Sequence, residues 1–591
     1  MPSDLDRDAL STVLMQDKGR EHVRNTIVAE TNFLITRQQT LSPQDFANKL
    51  NYITSMLKHF PESFQLAIAK KLHDAKVIKK DKFLSMIKNK KTKAAQEDKA
   101  PPQAQVLLEI VKKKVEEFWA NASQAYVTLR TGENYAVDDN YFRSWLINNY
   151  VDKIGTPPGR EALNQAIDCT EAICLQKGAR YHAYTRVAPC FDEEGELVGI
   201  YVDLANEKNE AAQISPLDVK IIQNPPVKFV KRPGVLSLPY PEQDDVSHLE
   251  WLGECFGLEE DQYVVLLVFL LSCLHPLGPY PVFEITGEQG TGKSLLSRFI
   301  KMLIDPGKAA LRSPPQNERD LMIWAHNSWL ICINNVTNVS GWLSDALCRL
   351  SWDGGFSTRK LYTDSQEIIF DQRRPVVLNG VGNKGTITKK PDLADRSLGI
   401  FLNVIPDNSR KTEKALLEEF NKRYPYMLGE LYSLIGACLR EYRFVKMTSA
   451  PRMADVVYWV VGAEKVLGFG EGTFLDIVSN YQLETKIALL EESEFASFVF
   501  DFLSRFEKGY EGTASELHNA MSHLLEDKRS ASWWPDSADK LGRRLIRIAP
   551  LLRAKGIQVT YKRSRQKRIY SFTKVPAMQK SADNALDLLL G

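Results

Sequence analysis

Apolar and polar positions alternate in different ways along this chain, and the changes of period divide it. Residues 1–100 carry helical spacing, as in Phe46-Ala47-Asn48-Lys49-Leu50 and Phe64-Gln65-Leu66-Ala67-Ile68-Ala69. The polar stretch Ala94 to Gln103 contains a proline pair and reads as a linker. Between 104 and 240 the pattern predicts mixed α and β structure. Val106 to Trp119 has helical periodicity, Ala125 to Leu129 reads as a strand, and Phe142 to Leu146 opens a helix. Tyr181 to Val187 and Gly199 to Leu204 alternate as strands around the turn Asp192-Glu193-Glu194-Gly195. His182 stands alone there and is expected to be packed.

From Val246 the pattern changes again. Leu249 to Leu274 predicts a helical preface, and its most apolar part, Val264 to Leu274, is too short for a membrane span. Short buried strands follow at Pro281 to Thr286, Ser328 to Ile333, Arg374 to Gly380 and Leu398 to Val404. Gly354 to Tyr362 and Glu367 to Phe370 predict a hairpin turning at Thr363 to Gln366. Strands separated by helices predict a parallel sheet. Residues 411–492 are helical, with Leu416, Phe420, Tyr424 and Leu428 four apart. In 493–575 two helices, Thr513 to Leu525 and Ser537 to Lys555, precede two strands, Ile557 to Tyr561 and Arg568 to Phe572. That is the order of a winged helix. Residues 576–591 read as a tail.

Composition changes little in this picture. An apolar share of 44% and a charged share of 25% over 591 residues describe an ordinary multidomain globular chain. The eight cysteines form no C-x-x-C pair, which argues against a zinc site or a disulfide framework and fits a reducing cytoplasm. The opening Met-Pro-Ser-Asp-Leu-Asp-Arg-Asp has no apolar signal core, so a cytoplasmic location is expected.

Net charge is only +2, so charge is informative locally. From Ser537 to Lys574 there are twelve Lys or Arg against one acid, Asp539. Arg543, Arg544 and Arg547 fall on the second helix, and Lys562, Arg563, Arg565, Lys567 and Arg568 on or beside the wing. Such concentration predicts DNA phosphate contacts. The basic run Lys76 to Lys93 is open to two readings, a nucleic-acid contact or a solvated helix face.

The sharpest chemistry lies at Gly287-Glu288-Gln289-Gly290-Thr291-Gly292-Lys293-Ser294. A strand runs into it and a helix runs out, the context that a phosphate loop requires. Its glycines let backbone N–H groups close around phosphate oxygens. Lys293 is placed for the β- and γ-phosphates of ATP, and Ser294 for Mg²⁺. The strand Ile331-Cys332-Ile333 ends in Asn334-Asn335, where such ATPases carry an acid that supports the metal. Asn379, at the end of Arg374-Pro375-Val376-Val377-Leu378, is placed to read the γ-phosphate or the attacking water.

The order of these motifs, with Gly355-Phe356-Ser357-Thr358-Arg359-Lys360-Leu361-Tyr362-Thr363-Asp364 and Pro391-Asp392-Leu393-Ala394-Asp395-Arg396, resembles the ATPase module of primase–helicase proteins. These are carried by phages, plasmids and integrated mobile elements, and they belong with the superfamily 3 helicases of the AAA+ class. The resemblance covers about 246–405, and more weakly Pro225 to Phe229 and Pro451 to Asp455. It implies an α/β P-loop domain over 246–410, a helical lid over 411–492, and a homo-oligomeric ring, usually a hexamer, acting on DNA. Arg396 matches the arginine finger that enters a neighbouring subunit's site; an ordinary surface ion pair is the other reading. Arg359 and Lys360 match the hairpin that faces the central channel. No primase motif is present, which implies a separate primase as partner. Asn334 stands where the family usually has Asp, and Asp345 or Asp353 is a candidate replacement carboxylate. The expected function is an ATP-dependent DNA helicase or replication protein of a mobile element. The alternative is a nucleotide-dependent DNA-binding or assembly protein that hydrolyses little ATP.

Overall fold

The computed structural model describes all residues except 1–16, 39, 95–100, 123, 354–355, 360–366, 371–372, 383–385, 407–410, 443, 445–452, 526–532, 564–567 and 576–591. Two compact units emerge, 1–106 and 107–591. The first holds α1 (Asp17–Arg37), α2 (Pro43–Leu57), α3 (Glu62–Asp74) and α4 (Lys80–Ala94). Ile27, Leu34, Ile53, Leu57, Leu72 and Phe83 form its core. Pro43 opens α2, and Ser42 caps it by accepting the Asp45 amide at 3.1 Å. From residue 88 onward the side chains of the basic helix α4 lie outside the described residues.

Helix α5 (Gln103–Lys114) leads into β1 (Val115–Asn121), β2 (Gln124–Leu129), β3 (Asn134–Ala136), α6 (Asn140–Ile154), α7 (Arg160–Lys177) and β4 (Ala179–Arg180). The helix expected to reach Trp119 stops at Lys114. The residues beyond it pair with β2 instead, and Trp119 stacks on Tyr126 with ring centroids 4.4 Å apart. Cross-strand packing overrides local helical spacing. Next come β5 (Ala183–Tyr184), β6 (Val187–Phe191), β7 (Leu197–Asp203), β8 (Glu210–Ile214), β9 (Val219–Gln223) and β10 (Lys228–Phe229). Strands β6 to β9 form an antiparallel meander. Of the strand expected at Tyr181 to Val187, Ala183 and Tyr184 form β5, which pairs in parallel with β10, and the hairpin arm opposite β7 begins only at Val187. Val187 faces Val202, and Phe191 faces Leu197. His182 is exposed rather than packed.

The central part contains α8 (Glu250–Phe256), α9 (Glu260–Cys273), β11 (Val282–Gly287), α10 (Lys293–Ile304), α11 (Glu318–Asn327), β12 (Ile331–Val336) and α12 (Gly341–Cys348). A π-helical turn, Arg349–Asp353, precedes β13 (Phe356–Arg359) and β14 (Glu367–Phe370), an antiparallel pair. Then come β15 (Val376–Gly380), α13 (Pro391–Ala394) and β16 (Ser397–Leu402). Strands β12, β15, β11 and β16 lie in that order, all parallel. Strands β11 and β15 are buried along their whole length, as expected of a parallel sheet covered on both faces. Outside β12, Arg312 makes a single parallel bridge to Ile333. On one face α10 packs against α14 (Glu413–Tyr442), where Phe299 stacks on Phe420 at 4.3 Å. Residues 264–273 of α9 are all buried.

Helices α15 (Ala454–Val466) and α16 (Thr473–Glu492) follow. The last part is α17 (Glu494–Ser504), β17 (Tyr510–Thr513), α18 (Ala514–Ser522), α19 (Ala538–Ala554), β18 (Ile557–Arg563) and β19 (Arg568–Lys574). Its antiparallel sheet has the order β17-β19-β18. Thr513 and Glu516 form a capping box at the start of α18.

Buried charges join the expected 104–240 and 246–410 regions. Arg186, fully buried just before β6, reaches Asp305 at 3.1 Å, and Asp305 also binds Lys301 at 2.7 Å. Asp305 further accepts the amides of Trp329 and Leu330 at 2.8 and 3.1 Å. Burial pushes the Asp305 carboxyl up, but Lys301 and Arg186 outweigh it and hold it down at about 2.

Candidate nucleotide site

The Gly287–Ser294 loop leaves the carboxyl end of β11, which lies between β15 and β16. Open parallel sheets place ligands in that position, outside the carboxyl ends of inner strands. Gly287, Gly290 and Gly292 have φ of +145°, +84° and +88°, which other residues rarely adopt. At Gly287 there is also no room for a side chain, since a Cβ would sit 2.5 Å from the Leu402 carbonyl oxygen. Gly292 caps α10 without a side-chain hydrogen bond. The first amides of α10 are therefore left without a side-chain acceptor, an arrangement suited to an anion.

Lys293 is half-buried and donates to the carbonyl of Gly287 at 2.9 Å, and also to that of Glu288. Burial lowers its pKa. Thr291 donates to the same Glu288 carbonyl at 3.0 Å, bracing the loop. Glu288, Gln289 and Gly290 are exposed at its tip.

The Ser294 hydroxyl donates to Asn334 Oδ1 at 2.8 Å. The phosphate loop and the end of β12 therefore meet, although 40 residues separate them in sequence. Asn334 is itself held by its amide, which donates to the Arg312 carbonyl at 2.7 Å. Asn335 has φ of +58°, and the register of β12 against β15 shifts between Ile333 and Val336. Asparagine is among the few non-glycine residues that adopt this left-handed conformation readily, here at the end of an edge strand. Its amide donates to Asn379 Oδ1 at 3.1 Å, and Asn379 Nδ2 donates to Ser297 Oγ at 2.7 Å. Asn379 is 1% exposed, so its amide ties β15, β12 and α10 together. Asp345 is exposed on α12, and the side chain of Asp353 lies outside the described residues.

The residues present fit a nucleotide with its metal. Ser294 Oγ and Asn334 Oδ1 offer two adjacent oxygens, and Mg²⁺ takes few protein ligands besides phosphates and water. Among the described residues no cluster of three His, Cys, Asp or Glu forms an independent metal cage.

Arg396 lies elsewhere. Its carbonyl accepts the amide of Val282 at 2.9 Å, at the start of β11. In a parallel sheet this is the end opposite the phosphate loop, on the order of 15–20 Å away along the strand. The guanidinium sits 5.9 Å from the ring of Trp352, on the π-helical turn that leads into β13. Arg359 ends β13, its side chain outside the described residues, and Lys360 is not described.

In the C-terminal part, Arg543, Arg544 and Arg547 are exposed on α19, while Leu541, Leu545, Ile548 and Leu552 face its core. Arg544 donates to the Trp533 carbonyl and lies 5.4 Å from the Phe495 ring. Lys562 is exposed, and Arg568 lies 5.0 Å from the Tyr561 ring. Arg563 ends β18, its side chain outside the described residues, as are Arg565 and Lys567.

Glu284 is a site that sequence reading missed. It lies mid-strand in β11, fully buried, and its carboxylate accepts the amides of Ile387 and Thr388 and the hydroxyl of Thr386. Burial raises its pKa. It anchors the segment leading from Asn379 toward Arg396. The only signal was an acid within an apolar strand.

Residues 254–471 match the family model of the actinomycete integrative conjugative element replication protein, and 495–583 match the C-terminal domain model of that RepA protein. In these two stretches the chain is similar to a mobile-element replication protein. Among solved structures it is similar to the apo A form of the NrS-1 C-terminal region, at 13% identity over 80% of this chain and 100% of that one, with a TM-score of 0.36. Another apo structure of the NrS-1 C-terminal region, spanning its residues 305–718, gives 12% identity over 81% of this chain and 100% of that one, with a TM-score of 0.34. No curated protein matches. Among the described residues, no helix is long and apolar enough to cross a membrane.

Proposed function

We propose that the chain is an ATP-dependent DNA helicase of a mobile element, serving its replication. Its ATPase is of the AAA+ type, similar to superfamily 3, and its C-terminal domain is a DNA-binding winged helix. The observation that carries this reading is the 2.8 Å bond from Ser294 on the phosphate loop to Asn334 at the end of β12. It assembles the two halves of a magnesium–nucleotide site. The α17-β17-α18-α19-β18-β19 order and the basic outer face of α19 support the DNA-binding part.

In this reading the loop amides and the α10 N-terminus hold the β- and γ-phosphates. Lys293, now on the carbonyls of Gly287 and Glu288, would turn to phosphate oxygens. Ser294 and Asn334 would hold the metal, which would neutralise charge developing on the phosphates. Asn335 would orient the attacking water, and Asn379 fixes its backbone by accepting the Asn335 amide. Arg396 cannot serve the site of its own chain from the far end of the sheet. It acts on a neighbour's nucleotide, which requires a ring, hexameric by resemblance. Arg359 and Lys360 would then face the central channel, and a separate primase would supply primers.

The Asn334-Asn335 pair supports a second reading, in which MgATP is bound and turned over slowly as a ligand for assembly. Steady-state ATPase activity with and without single-stranded DNA separates the two. Brisk, DNA-stimulated turnover supports the motor. Tight binding with negligible turnover supports the assembly protein, and absence of nucleotide binding rejects both.

A further inference from the structure

The core of the C-terminal domain, built mainly from residues between Phe495 and Phe572, also takes in residues from outside it. Ala394, the last residue of α13, is 3% exposed and belongs to the same apolar cluster as Leu541, Leu545 and Ile548 of α19. Helix α16 contributes Leu489 and Leu490 to that cluster. Thus the inner face of α19 packs on α13 and α16, while its outer face carries Arg543 and Arg547.

The next residue, Asp395, is 8% exposed and is gripped by α16 twice. Lys486 Nζ lies 3.0 Å from its carboxylate, and Gln482 Nε2 donates to its carbonyl at 3.2 Å. Arg396 comes immediately after and is fixed to β11 through Val282. One short segment therefore has α19 on its first residue, α16 on its second and the sheet on its third.

We propose that Asp395 and Lys486 are positioning residues for Arg396, and that they transmit the state of DNA on α19 to a neighbouring subunit's nucleotide. The inference rests on the reading of Arg396 as a trans-acting group. A rigid-body shift of α19 cannot leave Ala394 behind, because a close-packed apolar contact does not stretch. Asp395 converts that shift into a change at Arg396, since its carboxylate and carbonyl are both tied to α16, which lies in the same cluster. The coupling is a free-energy link between two sites and should be visible as DNA dependence of turnover.

The test uses the full chain and single-turnover ATP hydrolysis, with and without duplex DNA. Lys486→Gln keeps the length of the side chain but not its charge. It is expected to lower the DNA-stimulated rate constant about tenfold, while the affinities for DNA and ATP stay at wild-type values. Lys486→Arg, which can still pair with Asp395, should restore most of the stimulation. Asp395→Asn should match Lys486→Gln, and the two together should do no further damage. DNA stimulation that survives Lys486→Gln overturns the proposal, as does a parallel loss of DNA affinity. A wild-type chain that hydrolyses ATP at one rate with or without DNA also overturns it, while leaving the ATPase reading intact. A wild-type chain that does not bind ATP overturns both.

Discussion

The hydroxyl of Ser294 donates to Asn334 Oδ1 at 2.8 Å, so the two oxygens that would flank Mg²⁺ already touch. Asn334 supplies the geometry of the usual carboxylate without its charge. Asn334→Asp is expected to raise ATP turnover at least several-fold, since positioned catalytic groups contribute about 10²–10⁴-fold. ATP affinity should change little. Steady-state kinetics on the single variant decides it, and an unchanged slow rate would place the defect elsewhere.

Among the described residues, Lys293 bonds only to carbonyls of its own loop. Lys293→Ala should therefore keep the wild-type melting temperature while ATP affinity falls strongly. Calorimetric titration of a folded variant that still binds ATP normally would reject the site.

Arg396 and the phosphate loop stand at opposite ends of β11. Arg396→Ala should abolish turnover and spare ATP binding. Mixing it with Lys293→Ala subunits should restore part of the activity, because some mixed interfaces then hold both groups. A chain that stays monomeric with ATP and DNA present counts against the ring.

Arg543 and Arg547 form the exposed basic face of α19. Neutralising Arg563, Arg565, Lys567 and Arg568 together in the full chain should weaken duplex binding for all sequences. The slope of log K against log salt should flatten by about 0.9 for each DNA phosphate that is no longer neutralised. Neutralising Arg543 and Arg547 should weaken binding independently. The full chain is the right material because Ala394, Leu489 and Leu490 complete the C-terminal core. Unchanged affinity and slope would remove the wing from the interface.

The Arg186–Asp305–Lys301 cluster has a defined pH signature. The Asp305 carboxyl is held down at about 2, against the usual carboxylate value near 4. Its contribution to stability is complete above about pH 4 and is lost as the pH falls toward 2. Arg186→Ala leaves buried charge without one of its partners and should cost about 3–5 kcal/mol. Denaturant unfolding of the variant near neutral pH, and of the wild type across the acid range, tests both statements.

The sequence alone determined what depends on local chemistry. Glycine at 287, 290 and 292 announces a backbone that other residues rarely follow, and the lysine and serine after it raise the expectation of phosphate and metal. The strands from 246 to 405 and the helix leaving the glycine-rich loop were legible because their periods are strong, whereas the helix Glu318–Asn327 was not read. The basic excess between 537 and 574 was legible too. Where competing packing decides, local pattern failed: Val115 to Trp119 has helical spacing but joins β2, because Trp119 stacks on Tyr126. Only the tertiary structure decided which distant residues meet. It brought Ser294 to Asn334, tied Asn379 to Ser297, and put Arg396 at the far end of the sheet. It also set Arg186 against Asp305, 119 residues later, and Ala394 inside the C-terminal core. Such meetings are fixed by strand order and by which apolar faces find each other, and neither leaves a periodic trace in the chain.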